Sequence, residues 1–254
     1  MLLPITDKLW HVEHTFRVNG LPTTTRMTVI RLPGSQLLLH SPIPLDDSLA
    51  RQIDALGSVG FIVAPSKTQH LFLAPCQARY PQAIAFGVPG LIEKRADIQG
   101  LRELPQHGVA DWSPDLEYLI FGGIPFGNES LWFHRPSATL IATDLVQWWR
   151  GKLPLSAALY ARLTGVRKRL AVPLTVRALV RDRDAAKRSA QAILAWPFSR
   201  VVMAHNTVVD QDAHASMQQA LSYFIRGEAG DTVRLISARK ADAYERKQDR
   251  EIQD

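Results

Sequence analysis

The stretch that most constrains the fold is residues 131–149, LWFHRPSATLIATDLVQWW. Leu131, Trp132, Phe133 and His134 form a short aromatic β-run. RPSA at 135–138 turns it, because proline fixes φ and has no N–H to give a ladder. TLIAT at 139–143 is a second run, almost wholly apolar, as in a strand covered on both faces. Asp144 follows at once, and the apolar residues 145–150 read as the start of a helix. An acid at the carboxyl end of a buried strand lies where open α/β sheets keep their ligands. Taken alone, Asp144 reads first as the N-cap of that helix.

Three more stretches end the same way. SQLLL at 35–39 runs into His40, and VGFIVA at 59–64 into PSKTQH at 65–70. RVVMA at 200–204 runs into His205 and Asn206. Four buried-strand patterns, each closed by His, Lys or Asp, imply strand ends gathered around one polar site at a sheet edge.

A chain of 254 residues with 46% hydrophobic content has ample material for a core. It reads as one domain over 1–254, with 237–254 as a charged C-terminal tail. The lone Cys76 excludes an intramolecular disulfide or a multi-cysteine zinc knuckle, and it reads as a buried inert thiol. The N-terminal residues lack the pattern of a signal peptide, and no apolar run approaches a membrane span. The expected location is the cytoplasm.

Net charge is +6, with cations concentrated at 162–188 and in the tail. Basic surface favours anionic partners. Asp182, Asp184, Asp242 and Glu245 are interleaved with these cations, so the reading is a mixed-charge solvated surface with no specific nucleic-acid stripe.

In chain order, residues 9–18, 24–32 and 36–40 form antiparallel hairpins, because Gly-Pro turns separate them. A helix from 46 to 56 and a strand at 59–64 complete a β-β-β-α-β opening. A short helix from 70, a strand at 81–86, a loop with a helical piece near 95–101 and a strand at 116–121 precede the aromatic hairpin. After Asp144 the texture is helical, at 145–150, 155–163 and 183–195. A strand into His205 and an amphipathic helix over 212–224 follow.

This order resembles the metallo-β-lactamase fold: an α/β (α+β) chain folded as a four-layer αββα sandwich of two mixed β-sheets. That family carries T-H-x-H-x-D-H after an early strand, a G-H-T loop, G-D at a strand end and a late G-H. VAPSKTQH stands at the first motif: His70 matches its last histidine, Pro65 and Lys67 replace its first two, and Gln69 replaces its aspartate. GGIPFGNES at 122–130 stands at the third-ligand loop and contains no histidine. Thr143-Asp144 matches G-D, Ala204-His205 matches the late histidine, and His40-Ser41-Pro42 sits where the family often has D-T-G. The resemblance is that of an uncharacterised bacterial branch, a domain of unknown function.

The resemblance implies that His70, Asp144 and His205 are the remnant of the second metal position. Two imidazoles and a carboxylate suit one zinc or iron ion with room for water. The alternative is no metal, with these side chains bonded to one another. Lys67 would stand in for the missing first metal as a clamp for an oxyanion, and His134 is a second catalytic candidate. Two functions follow. One is a binder that uses the old cleft for a small anionic ligand or a protein partner, without dinuclear hydrolysis. The other is a mononuclear hydrolase of an ester, amide or phosphoester. The geometry expected is convergence of His70, Asp144 and His205, with His40 and Lys67 lining the same cleft.

Overall fold

The computed structural model describes residues 1–18, 21–105, 112 and 114–226; the tail at 237–254 and His107 lie outside them. Two mixed sheets face each other, with helices outside both, as the element order predicts. The first sheet has seven strands in sequential order: β1 (Leu3–Thr6), β2 (Leu9–Val18), β3 (Leu21–Arg31), β4 (Gln36–His40), β5 (Ser58–Ala64), β6 (Ile84–Gly87) and β7 (Arg102–Glu103). Pairing is antiparallel from β1 to β4 and parallel from β4 to β7. The switch occurs where α1 (Asp47–Asp54) crosses from β4 to β5. Asp46 caps α1 by accepting from the Leu49 N–H at 2.7 Å. The helix buries Leu49, Ala50 and Ile53. Two shorter helices, α2 (Leu73–Arg79) and α3 (Leu91–Lys94), serve the β5–β6 and β6–β7 connections. The helical piece expected near 95–101 is absent: those residues form turns, and α3 ends just before them.

The second sheet runs β12 (Val208–Val209), β11 (Arg200–Val202), β10 (Thr139–Ile141), β9 (Ser130–His134), β8 (Leu116–Ile120). Only β10 and β11 are parallel. The aromatic hairpin is its centre. Trp132 and Ile141 face the first sheet, while Leu131, Phe133 and Leu140 face α6 (Arg183–Leu194) and α7 (Ala213–Arg226). This period-two division explains the continuous apolar pattern: both faces are buried. Two small helices, α4 (Leu155–Leu163) and α5 (Leu174–Arg177), lie between the second sheet's central strands and α6 in sequence.

Residues 145–150 are not the expected helix. The chain bends through 143–146 and is then held as a ribbon: Gln147 and Ala171 exchange N–H···O bonds of 2.9 and 3.1 Å, and Trp149 donates to Val166 at 2.9 Å. Leu145, Val146, Gln147 and Trp149 are all buried. Consecutive burial suits a ribbon held from both sides better than a one-faced helix, so Asp144 caps nothing.

Trp132 holds the two sheets together. It stacks on Tyr118 at 4.5 Å and meets Trp112 and His40 edge-on at 5.5 and 5.9 Å. Its indole N–H donates to Ser130 Oγ at 2.9 Å. Large-to-small change at such a site costs about 3–5 kcal/mol. Trp132→Ala is therefore expected to lose stability of that order in urea unfolding; a loss below about 1 kcal/mol would contradict this packing role.

Candidate functional site: a half-buried carboxylate in an apolar cleft

The site begins with the loop after β5. Ser66 is fully buried, and its Oγ accepts from the N–H groups of Thr68 and Gln69 at 3.3 and 3.0 Å. This side-chain turn aims Thr68 and Gln69 the same way. With two N–H groups already donating to Ser66 Oγ, its own proton goes to Thr68 Oγ1, 2.8 Å away. Thr68 in turn donates to Asp144 Oδ2 at 2.8 Å. The carboxamide of Gln69 is fixed at both ends. Its Oε1 accepts from Thr25 and Ser41 at 3.1 and 3.3 Å, so its Nε2 faces Asp144 and donates to both oxygens at 3.2 Å.

His205, at the end of β11, closes the cluster. Its Nε2 is 2.7 Å from Asp144 Oδ1, and its Nδ1 donates to the Thr24 carbonyl. Both ring nitrogens face acceptors, so the imidazolium form fits this position. Burial alone would lower the His205 pKa; the hydrogen bond and charge of Asp144 outweigh it and raise it. Burial alone would likewise raise Asp144, but bonds from His205, Thr68 and Gln69 hold it below the usual carboxylate range. The Trp149 ring lies over His205 at 5.8 Å.

Glu129, which the sequence reading passed over, underlies this cluster. It lies immediately before β9 at the end of the GGIPFGNES loop. Its carboxylate accepts from three successive N–H groups: Thr143 at 2.6 Å, Asp144 at 2.9 Å and Leu145 at 2.7 Å. It thereby shapes the chain that presents Asp144. Burial, then the nearby Asp144 charge, push Glu129 up to about 7 against those donors. Gly123 seats this loop against α6. Its φ is +82°, and a Cβ there would meet the Asp182 carbonyl at 2.1 Å, so only glycine fits.

A cavity of about 470 Å³ opens over these groups. Its walls include Phe16, Phe72, Phe121, Phe126, Leu179 and Trp149, with Thr68, Gln69, Glu129, Asp144 and His205 as polar lining. His70 lies in the same wall, yet Arg95 Nη1 donates to its Nδ1 at 3.1 Å. Burial, then the charges of Lys94 and Arg95, lower the His70 pKa to about 3. The ring is therefore neutral with its proton on Nε2, which is buried without a partner.

Of the other expected residues, Lys67 and His40 do not line this cavity. Lys67 turns its Nζ to the Pro125 carbonyl at 3.2 Å, while its backbone N–H bonds Gly127. His40 is wholly buried against Trp132, where burial lowers its pKa to about 3. His134 is bonded through Nδ1 to Ser137 Oγ at 2.6 Å. It stands at the opposite end of β9 from Glu129, about 16 Å of strand away. Cys76 is buried, and burial pushes its thiol up to about 12.

Residues 6–167 match the DUF4336 family, described as a domain of unknown function. The chain belongs to that family. No curated protein matches this DUF4336 chain in sequence. Its fold is shared by a metallo-β-lactamase from Pontibacter korlensis, with 13% identity and a TM-score of 0.61 over 87% of this chain and 98% of that one. The metallo-β-lactamase FIM-1 from Pseudomonas aeruginosa, in a mono-zinc form, is 10% identical with a TM-score of 0.59 over 87% and 94%. The Flv1 flavodiiron core from Synechocystis, a metal-soaked structure, is 10% identical with a TM-score of 0.61 over 89% and 60%. Identities this low establish the fold alone.

The donors in this DUF4336 chain do not fit an ion shared by His70, Asp144 and His205. A neutral histidine ligates through a bare ring nitrogen, and the bare nitrogen of His70 faces Arg95. The Asp144 lone pairs face three protein donors. Among the described residues no three His, Cys, Asp or Glu side chains are grouped to hold an ion.

The stability of the Asp144–His205 pair depends on pH through both shifts. The raised His205 pKa contributes stability below its unfolded value near 6.5, lost as pH rises through the folded value. The lowered Asp144 pKa contributes stability above about 3.8, lost only in acid. Breaking a buried pair costs about 3–5 kcal/mol. Asp144→Asn should therefore destabilise by that order near pH 6 and by less near pH 9, measured by urea unfolding. A gap that widens with pH would contradict the charged pair.

Proposed function

We propose that this protein binds a small apolar molecule in the cleft, and that the polar cluster orients the ligand rather than activating water on a metal. The observation supporting this most directly is the commitment of Asp144. Its oxygens are taken up by Thr68, Gln69 and His205 beneath aromatic and aliphatic walls. A carboxylate so engaged has no lone pair left for a general base, and His205, bonded at both nitrogens, has none to offer either. A cavity of about 470 Å³ lies within the range of small-molecule sites. Its lining includes no Lys or Arg among the described residues. An apolar body therefore suits it better than the small anion expected from the sequence.

The second reading, a mononuclear hydrolase, draws on the 2.7 Å approach of Asp144 to His205, with His70 in the same wall. It requires Arg95, Thr68 and Gln69 to surrender their bonds to an ion.

Two titrations on the full chain separate the readings. Nile red, a neutral apolar dye, is expected to bind saturably at one site per chain, weakened about tenfold or more by Leu179→Trp, which fills the cleft. Zinc is expected to show no calorimetric site tighter than about 1 μM, the affinity equivalent to about 8 kcal/mol. One tight zinc per chain, lost in His205→Ala and accompanied by ester hydrolysis, would establish the hydrolase instead. Failure of the dye to bind would remove the apolar-ligand reading.

A further inference from the structure

The helix that walls the cleft is built inside out. α4 has nine residues. Its buried positions are the small Ala157 and Ala161, while Leu155, Leu159 and Leu163 are 88, 56 and 67% exposed. Their spacing of four puts all three leucines on one face. They are half of the six large apolar side chains left exposed among the described residues. Leucine costs about 0.8 kcal/mol per CH₂ to keep in water, so a contiguous stripe of this kind marks a contact face.

The charge of the segment that carries the stripe is one-sided. From Leu145 to Arg181 the chain has no Asp or Glu, and eight Lys or Arg. The interleaved acids invoked for a mixed-charge surface begin only at Asp182. Trp149, Ala157, Ala161, Val166 and Ala171 form a small core of their own, with Leu153 and Tyr160 against it. The segments flanking α4 therefore pack on α4 itself. Those segments carry Arg150, Lys152, Lys168 and Arg169, and α4 carries Arg162; all five are exposed. None of the five enters an ion pair among the described residues. Arg167 braces the module by donating to the carbonyls of Trp149 and Gly151 at 2.6 and 2.9 Å.

We propose that this face docks on the surface of an anionic lipid bilayer, with Leu155, Leu159 and Leu163 entering the acyl boundary and the surrounding cations meeting the headgroups. Apolar side chains ringed by Lys and Arg are the pattern of an interfacial helix. Charge argues against a second copy as the occupant. A two-fold dimer sets the same patch against itself, and here that would oppose two copies of a segment with eight cations and no acid. Docking would also set lipid near the cleft, since Ala157 and Tyr160 line it from the inner side of the same helix. A helix is about 10 Å across. The proposal does not depend on the cleft ligand, and its test does not involve the cleft.

The test is co-sedimentation of the full chain with vesicles of phosphatidylcholine alone or with 30% phosphatidylserine. Binding is expected to the mixed vesicles, about tenfold or more weaker to the neutral ones, and weakened by salt. The Leu155→Ser/Leu159→Ser/Leu163→Ser variant removes only exposed apolar groups, so its circular dichroism should be unchanged while binding falls about tenfold or more. Lys152→Gln/Lys168→Gln/Arg169→Gln should weaken binding to the mixed vesicles alone. No binding by the wild type, or equal binding by the leucine variant, overturns the proposal. So does a wild-type dimer in sedimentation that the leucine variant converts to monomer, because a second copy then covers the stripe. If the leucine variant does not fold, Leu159→Ser alone replaces it under the same criteria, with a several-fold loss expected.

Discussion

A carboxylate set in an apolar wall with only 23% of its side chain exposed needs its lone pairs met, and the cleft is arranged around meeting those of Asp144. Thr68 and Gln69 come from the loop after β5, His205 from the end of β11, and Asp144 itself from just past β10. Behind them stand Ser66, Thr25 and Ser41, which orient the donors, and the Thr24 carbonyl, which holds His205. The cluster thus ties strand ends of both sheets to one charge. In a low-dielectric site such bonds are strong when complete and costly when one is missing.

Two further buried charges support this arrangement from below. Arg26 on β3 is 3% exposed and donates to the carbonyls of Met203 and Asn206 on either side of His205, as well as to Glu13. It binds the first sheet to the loop that carries the histidine. Glu129 does the corresponding work for Asp144 by gathering three N–H groups at 143–145. Glu129 and Asp144 are carboxylates in one pocket, and they differ in their donors. Asp144 has side-chain donors including a cationic ring and stays ionised. Glu129 is held mainly by backbone N–H groups and has no cation against it, and burial pushes it up to about 7.

Much of the fold was legible because strands buried on both faces leave apolar runs, and because hairpin turns carry Pro and Gly. The aromatic hairpin, α6 and the clustering of strand ends beside Asp144 and His205 all follow from such local signals. The stretch after Asp144 was misread for the same reason it is unusual: an apolar run this short has no period that separates helix from extended chain. Glu129 left a faint signal, an acid set directly before the apolar run SLWFH, where no solvated surface is at hand. The departure at Lys67 was visible, but its direction was not. A lysine in a motif position turns outward as readily as inward, and here the Pro125 carbonyl receives it. Arg95 was illegible, because what matters is its contact with His70, twenty-five residues away. The exposed leucines of α4 were hidden by the rule that apolar residues at helical spacing face a core.

The cluster depends on the protonation of His205. Nitrogen NMR of the imidazole at pH 7, in protein labelled at histidine and titrated with one equivalent of zinc, reads this directly. Two protonated ring nitrogens on His205, a proton on Nε2 of a neutral His70, and no change on adding zinc are expected. A neutral His205 with a bare Nε2 that shifts on zinc addition would contradict this, because Asp144 and His205 would then form a ligand pair awaiting an ion rather than a completed ion pair.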